Sequence, residues 1–201
     1  MSENYQITGL FYKENGYKFR KYLNIIKNNS IKNKPDLMVI MMNPGSSRPL
    51  NGIENNKTET QAIPDNTQSQ IMRIMKNCNF EFSRILNLSD LREPKSSVFY
   101  DKIEELEKKK ISHSIFSEKR NADFEELFEK KVPVIFAWGV NEKLNILSIK
   151  AIKRIKEKNP IGLLKSGFNS AYYHPLPQNY TKQKEWVEKI SEMMKKAHNK
   201  I

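Results

Sequence analysis

Apolar positions in this chain fall into one alternating pair of runs, several short unbroken runs, and longer stretches at helical spacing. From Thr8 to about Ile26, TGLFY and YKFRKYLNI flank Glu14-Asn15-Gly16. Asn-Gly between apolar runs is the strongest short turn signal, so this stretch predicts a hairpin. After the polar linker KNNSIKNK comes DLMVIMM, which stops at Asn43-Pro44-Gly45. Its shortness and lack of alternation predict a central parallel strand buried on both faces. The stretch from Ser46 to Pro64 is polar and aperiodic, a loop. Asp65-Asn66-Thr67 can then cap a helix carrying Ile71, Ile74 and Met75 on one face. FSRILNL predicts a second strand ending at Asn87, VPVIFAWG a third ending at Gly139, and GFNSAYYHPLP a fourth closing on His174-Pro175. Between them, KIEELEKKK and ADFEELFEKK predict solvated surface helices, NILSIKAIKRIKEK an amphipathic helix and EWVEKISEMMKKAH a terminal one.

Strands alternating with helices predict a mainly parallel sheet covered on both sides. The expectation is a single domain over residues 1–201: a three-layer α/β/α fold with a four-stranded, mainly parallel central sheet and an N-terminal hairpin. Ligands of such sheets bind at the carboxyl ends of the strands. Asn43, Asn87 and His174 are conspicuous polar residues at those ends, and they form the first candidate site.

Composition narrows the class. With 201 residues, 38% hydrophobic and 29% charged, the chain has material for one globular α/β domain. The opening MSENYQITGLFYKENGYKF lacks a signal-peptide pattern, and no apolar run approaches the roughly 20 residues of a membrane span. A lone cysteine, Cys78, excludes an internal disulfide and any clustered-cysteine metal centre. The three histidines, His113, His174 and His198, lack the spacing of zinc ligands. A cytoplasmic monomer without metal, cofactor or membrane partner is expected. The net charge of +12 points to a polyanion, nucleic acid above all, although a composition rich in Lys, Asn and Ile would produce the same sum. Residues 151–201 hold 11 Lys/Arg against 4 Asp/Glu, which suggests a local patch. Lys165, Arg154 and Lys156 are candidate phosphate contacts.

Four segments at the predicted strand ends resemble, in order, motifs of the uracil-DNA glycosylase superfamily. MMNPGSS is similar to the first motif of its mismatch-directed branch, a strand ending in Asn-Pro-Gly. FSRILNLSDL resembles the second strand, whose terminal Asn reads the flipped base. VIFAWGVNEK resembles the third, ending in Trp-Gly, and YYHPLPQN the last motif, His-Pro before a loop that enters the minor groove. From about Tyr17 to Pro177 the chain is also similar to a bacterial family catalogued as a domain of unknown function, which shares these landmarks. The departures are specific. Many superfamily members carry Asp where Asn43 stands, the iron-sulfur branches use four cysteines, and the His-Pro loop here reads LPQN. Residues from Arg48 to Pro64 match no such motif.

The resemblance implies a monofunctional DNA glycosylase that hydrolyses the N-glycosidic bond of a flipped uracil, mismatched or modified base in double- or single-stranded DNA. Base-excision repair or antiphage defence is the implied setting. Asn43 and His174 would be catalytic; Met42, Pro44, Gly45, Ser46, Asn87 and Pro175 would surround the base. Asn43 could position a water, although its amide takes no proton; Asn-Pro-Gly is also an ordinary turn. Asn87 offers a donor and an acceptor to a Watson–Crick edge, or it caps a turn. His174 could donate to a base carbonyl as the bond breaks, or simply bond to backbone. Ser46 or Ser47 with His174 would suggest a serine hydrolase, but no G-x-S-x-G elbow is present. A non-catalytic sensor of modified DNA and a hydrolase of free nucleosides or nucleotides are the other readings of the same pocket.

Overall fold

A computed structural model describes residues 2–54, 57–157 and 159–198. The hairpin forms as predicted: β1 (Tyr5–Glu14) and β2 (Tyr17–Lys27) turn at Asn15 and Gly16, both at positive φ, the backbone that a two-residue hairpin requires. β3 (Leu37–Met41), β5 (Phe82–Asn87) and β6 (Val134–Ala137) arise from the three unbroken apolar runs. A two-residue strand, β4 (Thr60–Gln61), lies within the stretch expected to be loop.

The expected four-stranded, mainly parallel sheet is not what forms. The sheet has six strands in the order β4-β1-β2-β5-β3-β6, and it is mixed. β3 pairs in parallel with β5 and β6, whereas β2 pairs antiparallel with β5, and β1 with β2 and β4. The hairpin is therefore half of the sheet and not an appendage. The physical reason lies in its burial: Leu23, Asn24 and Ile25 are consecutive and all buried, so both faces of β2 are covered and it takes an interior place.

The fourth predicted strand is also corrected. Residues from Gly167 to Pro177 make only isolated bridges, Tyr172 with Gly139 and with Leu164, while Ile161 bridges Ile135 in parallel. Pro175 and Pro177 have no N–H to give a ladder, and Gly167 reverses the chain at φ +79. Gly162 makes the close approach possible: a Cβ there would sit 2.6 Å from the Phe136 carbonyl oxygen and from the Tyr172 ring.

Helices cover both faces. α1 (Asn66–Cys78) and α5 (Tyr180–His198) pack together over the face carrying Leu23, Ile25, Val39, Met41 and Ile85. α2 (Ser96–Lys108), α3 (Asn121–Leu127) and α4 (Asn145–Ile155) cover the other, over Phe19, Met38, Ile40, Leu86 and Phe136. α2 and α3, read as solvated helices, bury Phe99, Leu106, Phe124 and Leu127. The side chain of His198 lies outside the described residues. Among the described residues no helix is long and apolar enough to cross a membrane.

One irregularity governs the site. Leu10 pairs with Tyr22 but Phe11 with Arg20, so Lys21 is an extra residue, a β-bulge. Unbroken alternation from Ile25 through Leu23 would put Arg20 on the opposite face. The bulge instead sets Arg20 across from Phe11, on the α1/α5 side.

Candidate active site

At the carboxyl end of β3 the chain leaves the sheet through Met42, Asn43, Pro44 and Gly45, with Gly45 at φ +60 and the Ser47 N–H donating to the Pro44 carbonyl at 3.1 Å. Pairing with the neighbouring chain continues past the strands: Leu88 and Ser89 donate to the carbonyls of Met41 and Met42. The Asn43 Nδ2 adds bonds to the carbonyls of Leu91 (3.2 Å) and Glu93 (2.7 Å). Its amide nitrogen thus pins the loop after β5, and Oδ1 has no partner among the described residues.

A cavity of about 300 Å³ opens here, between the end of β3, the start of α1 and the His174 loop. Met42, Asn43, Pro44, Gly45, Ser46 and His174, all named from the sequence, line it. Pro175 is buried beside it without lining it. Asn87 is 1% exposed and stands behind Arg20, whose Nη2 donates to its Oδ1 at 2.8 Å. Arg20, Asp65 and Gln68 line the cavity and were not anticipated as site residues.

Asp65 is the N-cap of α1. Its Oδ1 accepts the Gln68 N–H at 3.0 Å, and the Gln68 side chain returns a bond to the Asp65 N–H, a capping box. The cap was legible from Asp65-Asn66-Thr67. Its place at the cavity was not, because the preceding loop hides where α1 begins in space. Arg20 left no distinctive trace, because Lys18 and Lys21 stand beside it in the same strand. Burial pulls its pKa down to about 10, Asp65 opposes that shift and Arg92 adds to it. The guanidinium therefore stays charged at neutral pH, with no direct ion pair to Asp65.

Three buried donors at or behind the cavity find no acceptor among the described residues: Arg20 Nε, Gln68 Nε2 and Asn87 Nδ2. Arg20 is 3% and Gln68 2% exposed, so each is a desolvated polar group that an occupant could satisfy.

His174 is held from behind by α5: Trp186 Nε1 donates to the Tyr173 carbonyl and Gln183 Nε2 to that of Pro177. The Leu176 N–H donates to Nδ1 at 3.1 Å, so in the neutral ring Nε2 carries the proton. Burial pushes the His174 pKa down to about 4, against the raising influence of Asp65. At neutral pH the ring is an uncharged Nε2–H donor. Its acceptor nitrogen is committed, so neither Ser46 nor Ser47 has it as a general base, and the serine-hydrolase reading has no catalytic pair.

The proposed phosphate contacts lie elsewhere. Arg154 and Lys156 belong to the last turn and C-cap of α4, with the Arg154 guanidinium over Phe124. Lys165 stands over Phe168 on a neighbouring loop. None lines the cavity. Trp138 is fully buried and donates to the Ser170 carbonyl, a core wall. Among the described residues no group of three or more His, Cys, Asp or Glu could hold a metal ion.

Residues 24–176 match the model of a family described as "Protein of unknown function (DUF1643)". No curated protein matches the chain, and no solved structure does. Nothing in that description ties the family to the uracil-DNA glycosylase superfamily. The matched span falls within the stretch from Tyr17 to Pro177 that carries the four motifs, and of the residues lining the cavity only Arg20 lies outside it. The site is thus built almost wholly from the shared part of the sequence, and the chain belongs to the DUF1643 family.

Proposed function

We propose that the cavity hydrolyses the N-glycosidic bond of a base extruded from DNA. The observation that carries this reading is a pair of opposite charges flanking one cavity without neutralising each other: the Asp65 carboxylate and the Arg20 guanidinium. Heterolysis of a C–N glycosidic bond creates charges of both signs, an oxocarbenium-like sugar and an anionic base. A carboxylate on one side and a cation on the other stabilise that separation more than they stabilise the neutral ground state.

The geometry supports one assignment of roles. Asp65 Oδ2, left free by the capping bond, orients and polarises the attacking water, helped by Asn43 Oδ1. The water oxygen bonds to the anomeric carbon as the C–N bond breaks, and the electron pair leaves on the base nitrogen. His174 donates Nε2–H to a base acceptor, and Arg20, steadied by Asn87, opposes the developing negative charge. The proton released from water ends on the departing base. Water activation thus shifts from Asn43, whose amide also pins a loop, to Asp65. DNA as the partner draws support from the +12 net charge.

The test is to incubate the protein with DNAs of different base composition, modified phage genomes included, and score abasic sites by alkaline strand cleavage. Release of one base type is the expected result. Intact DNA across the whole panel would overturn the reading.

A further inference from the structure

We infer that the chain carries a second anion site, which binds phosphate groups in a hollow between α2, α4 and the segment from Lys110 to Lys119. This hollow, about 550 Å³, shares no lining residue with the cavity described above. It belongs to the helical layer on the other face of the sheet.

Five cations line it: Lys110, Lys119, Lys150, Lys153 and Arg154. Only two carboxylates do, Glu107 and Glu118. Glu107 is already shared between the Lys150 Nζ at 3.5 Å and the His113 Nε2 at 3.3 Å. Arg154 is fixed by its stacking on Phe124 and its bond to Asn121, with Glu125 at 3.5 Å. Among the described residues, Lys110, Lys119 and Lys153 have no carboxylate partner within ion-pair distance. Like charges around one concavity repel, and a bound anion relieves that repulsion more than scattered counterions can.

Two further features fit an oxyanion. Ser112 and Ser117 line the hollow, and each hydroxyl is shielded from solvent with no hydrogen-bond partner among the described residues. Lys110 holds φ +56 at the end of α2, a left-handed position that glycine ordinarily takes. A lysine kept there, at the rim of the hollow, spends backbone strain on a positive charge. Ammonium groups, a guanidinium and free hydroxyls together suit phosphate oxygens, from a free phosphate compound or from a nucleic-acid backbone.

Isothermal titration with pyrophosphate and with a short oligothymidylate tests this and separates the two sources. Lys119→Glu/Lys153→Glu should weaken pyrophosphate binding about tenfold or more. The control Lys182→Glu/Lys184→Glu changes net charge equally on α5 and should leave binding unchanged. Lys119→Gln/Lys153→Gln gives a milder version should the reversal perturb folding. Competition between pyrophosphate and the oligonucleotide supports a backbone site, and pyrophosphate binding alone supports a small phosphate ligand. Equal weakening by the control pair, or no pyrophosphate binding by the parent protein, overturns the proposal. Asp65→Asn should bind pyrophosphate as the parent does, so failure here is separable from failure of the excision reading.

Discussion

In the proposed mechanism Asp65 divides its two oxygens between architecture and chemistry. Oδ1 caps α1, and Oδ2 is left for the cavity. Asparagine caps a helix about as well as aspartate, so Asp65→Asn should alter stability by less than about 0.5 kcal/mol. It removes the negative charge and the capacity to take a proton, so single-turnover excision should fall by roughly 10²–10⁴ with DNA affinity little changed. An undiminished rate in the variant removes Asp65 from the mechanism. His174 makes the complementary point about acid. Its pKa is about 4 in the folded chain and 6.5 for the free side chain. Between these values the unfolded chain binds a proton that the folded chain refuses. The stability tied to this group is therefore complete above about pH 6.5 and is lost as pH falls toward 4, by on the order of 3 kcal/mol. His174→Gln should flatten the fall in Tm between pH 7 and pH 4.5 relative to the parent protein. Parallel curves would show that His174 does not titrate in this range.

Among the elements, the sheet edge beyond β6 is held by the least forgiving contact. Gly162→Ala places a methyl group 2.6 Å from a backbone carbonyl and from the Tyr172 ring. Overpacking against backbone should cost about 1–3 kcal/mol, read as a lower urea midpoint, and should displace the His174 loop that follows. The same edge explains what the sequence could not reveal. Runs such as LMVIM and VIFA name buried strands, because unbroken apolar stretches have no face to leave in water. They do not say which edges meet. Periodicity therefore disclosed the hairpin, β3, β5 and β6, but not the antiparallel seam between β2 and β5 that makes the sheet mixed. Residues from Gly167 to Pro177 looked like a strand by composition, yet Pro175 and Pro177 cannot donate to one. In the site, Asn43 and His174 were legible because each ends an apolar run at a proline. Arg20 was not: one extra residue, Lys21, reverses the face on which it lies, and alternation alone would place it among Tyr22 and Asn24.

For the whole molecule, the +12 charge is a statement about ionic strength. If DNA is the partner, the logarithm of affinity should fall linearly with the logarithm of salt, by about 0.7–0.9 per phosphate neutralised. A slope near zero between low and physiological salt would remove the electrostatic case for DNA. The seam between β2 and β5 has a consequence of another kind. It joins Leu23–Ile26 to Phe82–Ile85, and the two ends of the buried pair, Arg20 and Asn87, come from opposite sides of that closure. A hairpin such as β1–β2 forms within about 1–10 μs, but closing distant strands is the slow event in folding. During refolding the ellipticity of helices and hairpin should thus return first. Competence to bind at the cavity should appear only with the slowest phase, because until the two strands dock there is no Asn87 beside Arg20 to hold it.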